Sequence, residues 1–167
     1  TLMETNSIKR LPIVSGGQVF LNVADGPETA LWCVERTTGR VSWKRALGPS
    51  EGHAHRKHNM ATPSPVTGDG RVFAMTGNGV VRAFTVDGTE LWARDLQKDY
   101  GKFGLQWGYG SSPLLEGGVL YVQVLHGSHT LGDTHMATTY ASFEALKAAL
   151  DSLGNDEILT AVLLTPE

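Results

Sequence analysis

The densest cluster of chemically capable side chains is His53-Ala54-His55-Arg56-Lys57-His58-Asn59. Three imidazoles spaced two and three residues apart are a donor set that zinc or copper accepts. Arg56 and Lys57 stand between them and oppose a cation, and no carboxylate lies nearer than Glu51. The cluster is therefore better suited to an anion-friendly loop, with Arg56 and Lys57 holding carboxylate or phosphate groups. A solvated loop with no dedicated ligand and a metal-binding module at His53–His58 are the alternatives. A second cluster runs from Tyr100 to Gly110, with four glycines around Trp107 and Tyr109. That composition predicts backbone packed closely beneath aromatic rings. His126, His129 and His135 match no ligand spacing. Cys33 is the one cysteine, which excludes an intrachain disulfide and an all-thiolate metal site. Its alternation with Trp32 reads as a small, buried apolar residue. No glycine-rich phosphate loop, Gly-x-Ser-x-Gly elbow or His-Glu-x-x-His pair occurs in the chain.

The elements that carry these loops show themselves as a repeat. Pro12 to Phe20, Pro65 to Phe73 and Pro113 to Tyr121 align without gaps, with starts 53 and 48 residues apart. Each places proline first, glycine at the sixth position (Gly17, Gly70, Gly118) and an aromatic at the ninth. Copies one and two continue through a turn, an apolar strand, a glycine turn (Gly39, Gly88) and a strand ending in Trp43 or Trp92. Glycine supplies the positive φ of tight hairpins, and Asn78-Gly79 predicts a two-residue one. The β-branched and aromatic residues between the turns fit a pleated, half-buried surface. Proline opens each first strand, where a missing N–H costs little. Four short antiparallel strands recurring at this period are the signature of a propeller blade. An immunoglobulin-like sandwich would not repeat Pro, Gly and Trp in register.

Composition bounds the rest. The chain has 167 residues, enough for a domain that buries about 70% of its unfolded surface without a staple. With 41% apolar and 19% charged residues it is globular rather than disordered. No apolar run is long enough for a transmembrane helix. A net charge of −3 offers nothing global to nucleic acid or anionic lipid. No basic-then-apolar leader follows Thr1, so a signal peptide is expected to be absent or removed. Nineteen of the 20 glycines and all four tryptophans precede residue 136, and only one of the 14 basic residues follows it. Two differently composed segments are joined there, residues 1–130 as blades (11–47, 62–96 and a partial 110–127) and 131–167 as a tail.

Leu31-Trp32-Cys33-Val34-Glu35-Arg36-Thr37-Thr38-Gly39-Arg40-Val41-Ser42-Trp43 resembles the blade motif of the pyrroloquinoline quinone (PQQ)-like propeller family. Val81 to Trp92 looks like the same motif with a turn one residue shorter. Ser64-Pro65-Val66 and Ser111 to Leu115 resemble the first strand of such blades, so the likeness covers about residues 11–127. The resemblance implies a toroid of which this chain offers two copies and half of a third. Open edges would need further blades, self-association or some other cover. It also implies that the tryptophan docks between neighbouring blades and that the Thr-Gly turn packs against it. Quinone-dependent dehydrogenases of the family carry vicinal cysteines, a tryptophan on the quinone, and Glu, Asn and Asp ligands for calcium. Cys33 has Trp32 and Val34 as neighbours, so PQQ with calcium is disfavoured and no catalytic residue is assigned.

The tail departs from the repeat. Phe143, Leu146, Leu150 and Leu153 recur at helical spacing after Ser142, predicting a helix to Gly154. Asn155 or Asp156 would cap a second short helix through Leu164. Such a pair covers an exposed blade edge, or it is sequence foreign to the propeller, which the loss of register favours. The expected fold is mostly β: consecutive four-stranded antiparallel blades, an incomplete propeller, with a short helical tail. The expected function is a non-catalytic scaffold or binding module. Its inter-blade loops (His53, His55, Arg56, Lys57, His58, Asn59, with Trp107 and Tyr109) would contact a protein, peptide or glycan. An exported family member that scaffolds outer-membrane protein assembly is the functional parallel, and it suggests a periplasmic setting. A fragment of a quinone-dependent dehydrogenase is the alternative.

Overall fold

The computed structural model describes residues 11–52, 59–103, 107–125 and 159–164. Three antiparallel sheets follow one another along the chain. The first holds β1 (Ile13–Ser15), β2 (Gln18–Asp25), β3 (Glu28–Glu35) and β4 (Val41–Pro49), side by side in that order. The second repeats it with β5 (Val66–Gly68), β6 (Arg71–Met75), β7 (Val80–Thr85) and β8 (Glu90–Asp95), and one turn of helix, α1 (Leu96–Tyr100), follows. The third pairs β9 (Leu114–Glu116) with β10 (Val119–Leu125), and β10 with β11 (Leu159–Leu164). Pro12, Pro65 and Pro113 each stand immediately before the first strand of a sheet.

Turn chemistry sets the strand order. Asp69 (φ 51°) and Gly70 (φ 72°), like Gly117 (57°) and Gly118 (77°), put both central residues in the left-handed region. That is the twist a two-residue hairpin needs. The Asn78-Gly79 turn differs from expectation. Thr76 and Val80 close a three-residue loop, with Gly79 donating to the Thr76 carbonyl at 2.9 Å and sitting at φ 82°. Gly77 and Asn78 make the turn, and Gly79 is the left-handed residue of the bulge that follows it. The later glycine turns match the predicted difference of one residue: Arg36 to Gly39 between Glu35 and Arg40, and Val86 to Gly88 between Thr85 and Thr89.

A bulge beside each tryptophan decides which way its ring points. Cys33 pairs with Trp43 but Val34 with Val41; Ala83 pairs with Trp92 but Phe84 with Glu90. Each skipped residue, Ser42 or Leu91, shifts the pairing by one. A one-residue shift moves a side chain to the opposite face. Trp43 thereby joins Phe20 (ring centroids 5.8 Å apart, 46°), and Trp92 joins Phe73 (6.0 Å, 45°).

Sheets stack through these faces. Phe20, Leu31, Cys33 and Leu47 of sheet one meet Val72, Ala74 and Phe84 of sheet two. Phe73, Met75, Val81 and Ala83 of sheet two meet Leu120 and Val122 of sheet three. By register, Val19, Leu21 and Val34 of sheet one are the counterparts of Val72, Ala74 and Phe84. With Val23, Ala30 and Trp32 they form a separate apolar cluster, so β3 is buried continuously from Ala30 to Val34.

The tail is corrected in part. Leu159–Leu164 is not a second helix but a strand, in register from Leu120↔Leu164 to Leu125↔Leu159. A short apolar run fits a buried strand as well as a buried helix, and the free edge of β10 supplies backbone partners that an isolated short helix lacks. The helix expected at 143–153 lies outside the described residues. Among them, no helix is long and apolar enough to cross a membrane.

Candidate functional site

The two inter-blade connections meet at Gly77. Its N–H donates to the Met60 carbonyl at 2.7 Å, and its carbonyl accepts from the Tyr109 N–H at 2.8 Å. Beta carbons added at Gly52, Gly77 and Gly108 would fall 2.7, 2.8 and 2.7 Å from the Met60 thioether. Met60, 1% exposed, fills the space that side chains would occupy there, and at Gly77 its backbone is close as well, with Cα 3.1 Å from an added beta carbon. The flexible thioether suits such an irregular socket.

The predicted contact residues divide. His53, His55, Arg56, Lys57 and His58 lie outside the described residues. Asn59 turns its side chain inward: its Oδ1 accepts from the Ala61 N–H at 3.0 Å, and its N–H donates to the Thr62 hydroxyl at 3.1 Å. Trp107 is 37% exposed at the surface of the second connection. Tyr109 is corrected. It is 2% exposed, in the core between sheets two and three, with its ring 5.4 Å from Phe103. Burial pushes its phenol up to about 12, despite hydrogen bonds with Ser111 and the Gln123 backbone. A neutral phenol held inside the core anchors the loop from below.

Two of the repeat residues, Trp43 and Gly88, meet at the interface of sheets one and two. Trp43 donates its indole N–H to the Val86 carbonyl across the sheet interface at 3.1 Å, and Arg45 donates to the Gly88 carbonyl at 2.6 Å. Gly88 (φ 85°) would bring a beta carbon within 2.9 Å of the Trp43 ring. Its counterpart Gly39 has nothing within 4 Å. Cys33 is fully buried, and burial pushes its thiol up. Trp32 is buried in the other cluster, with the Lys44 ammonium 3.7 Å above its ring. Among the described residues no group of His, Cys, Asp or Glu could hold a metal ion.

Sequence reasoning missed the helix that positions the second connection. Asp95 caps α1 by accepting from the Gln97 and Lys98 N–H groups. Gln97 then ties the turn to the loop, donating to the Asn78 carbonyl at 2.9 Å and accepting from the Phe103 N–H at 3.1 Å. An aspartate directly before Leu-Gln-Lys was the available signal.

No protein-family model matches the chain, and no curated protein matches it. Among solved structures it is similar to a europium-containing methanol dehydrogenase (16% identity, TM-score 0.47), over 68% of this chain and 19% of that one. It is also similar to BamB from Moraxella catarrhalis (17% identity, TM-score 0.47), over 66% of this chain and 32% of that one. A computationally designed protein, Ika8, matches at 10% identity and a TM-score of 0.28, over 66% of this chain and 41% of that one. The chain thus spans about a fifth and a third of the length of the two natural proteins.

Proposed function

We propose that this chain is a non-catalytic scaffold or binding module that contacts a protein, peptide or glycan with its inter-blade connections. The observation that carries the reading is the Met60–Gly77–Tyr109 backbone bridge, which fixes both connections to one β-turn. Trp107 is exposed on the second connection, and the sequence of the first carries the basic, imidazole-rich stretch from His53 to His58. Aromatic and guanidinium groups together suit peptide and glycan recognition better than they suit bond-breaking chemistry.

The test is an array of peptides and glycans probed with the labelled chain and with an Arg56→Ala/Trp107→Ala variant. Ligands bound by the parent should lose at least tenfold in affinity for the double variant. Undiminished binding would remove the loops from the function. A parallel arm adds PQQ and calcium and follows visible absorbance and dye reduction. No change is expected, and calcium-dependent dye reduction would favour the dehydrogenase reading instead.

A further inference from the structure

We propose that the edge of β10 opposite β9 is a strand-addition site for an extended, uncharged aliphatic segment of a partner protein, with β11 as its internal occupant. The site is distinct from the inter-blade loops. In sheets one and two the third strand follows the second after two residues (26–27) and four residues (76–79). In sheet three the third place is taken by β11, after 33 residues (126–158). The entropy lost in closing a loop grows with the number of residues closed, so bringing β11 to β10 across 33 residues costs more than closing a hairpin of two or four. A partner strand competes with it on terms that no tight hairpin would allow.

The edge remains formed when β11 leaves. Leu120 and Val122 are fully buried against sheet two, and Leu115, on the β9 side, reaches Gly68 of sheet two. The backbone from Leu120 to Leu125 would then present six residues of open ladder. Such an edge recruits strands through main-chain hydrogen bonds and selects them by alternate side chains. The occupant shows which chemistry fits: Leu159-Thr160-Ala161-Val162-Leu163-Leu164 carries no charge, proline or glycine. It lies antiparallel, with Val162 opposite Val122 and Ala161 opposite Gln123.

The probe is a fluorescent synthetic peptide of residues 157–166 with two added lysines, titrated against the full chain. Val162→Pro removes an N–H and the strand geometry from β11 without touching β10. This variant should bind the peptide at least tenfold more tightly than the parent. The bound peptide should slow hydrogen exchange at Leu120 to Leu125. A peptide with proline in place of Val162 should not bind. Equal affinity of parent and variant, or binding of the proline peptide, would overturn the proposal. A Gln123→Cys/Ala161→Cys pair, directly opposed in the ladder, gives a second reading should Val162→Pro fail to fold. Its oxidised form should exclude the peptide and its reduced form admit it. The same affinity in both forms overturns the proposal.

Discussion

Two buried polar side chains show how single residues hold the sheets together. Asn22, 2% exposed, donates from Nδ2 to the Pro63 carbonyl at 2.7 Å and to the Met75 carbonyl at 2.9 Å, while its Oδ1 has no partner. Asn22→Ala strips both carbonyls of their donor, and an unpaired buried group costs about 1–3 kcal/mol. Urea unfolding should register a loss in that range. A loss under about 0.5 kcal/mol, the scatter of surface substitutions, would mean that water replaces the amide. Tyr109 makes a pH-dependent contribution. Its phenol titrates at about 12 in the fold but at about 10 when unfolded. The folded state therefore binds the proton more tightly, and stability declines as pH rises from about 10 towards 12, by at most about 1.4 kcal/mol per unit. Below pH 10 the contribution is complete. Tyr109→Phe should flatten that part of the stability profile relative to the parent, as measured by unfolding midpoints between about pH 9 and 11.5.

Among the elements, the glycine turns offer an internal control. Gly39 and Gly88 occupy equivalent turns at φ 72° and 85°. Alanine at either meets the strain of a left-handed backbone, about 1–2 kcal/mol. Only at Gly88 does the new methyl also strike the Trp43 ring, at 2.9 Å. Gly88→Ala should therefore destabilise the chain clearly more than Gly39→Ala, and equal losses would show that the turn can slide off the indole. This pairing also shows why the blades were legible in the sequence. Pro, Gly and Trp recur in register because each has one physical task at its position: opening a strand, turning it, bridging to the next sheet. The same logic failed where residue type left the structure open. Leu159 to Leu164 carries no turn residue or cap that distinguishes strand from helix, and its partner β10 decided the outcome. The candidate site was legible only as composition. Trp107 and Tyr109, two residues apart, differ in exposure from 37% to 2%, a difference set by the bond of Tyr109 to Gly77 rather than by anything local.

At the scale of the whole molecule, stability depends on whether stacked sheets unfold as one. Repeat architectures sum the stability of each unit with that of its interfaces. The interface of sheets one and two is well supplied: besides the apolar cluster it has Trp43 and Gln18 on the Val86 carbonyl, Arg45 on Gly88, Arg82 on Leu47, and Asn22. Trp43 is central among these, since its ring touches Phe20 of its own sheet and lies 6.4 Å from Phe84 of the next. Trp43→Ala removes the indole from both sides and costs about 3 kcal/mol, the lower end for large aromatics because the ring is only half-buried. The change weakens sheet one and its interface with sheet two while leaving the interface of sheets two and three intact, so sheet one should then unfold first. The parent is expected to show coincident urea transitions by far-ultraviolet circular dichroism and tryptophan fluorescence. The variant, in a Trp32→Phe/Trp107→Phe background that leaves Trp92 as the remaining indole, should separate them, with Trp92 fluorescence reporting the later step. Coincident transitions in Trp43→Ala would place the coupling in the polar contacts and the Phe20–Phe84 layer instead of the indole.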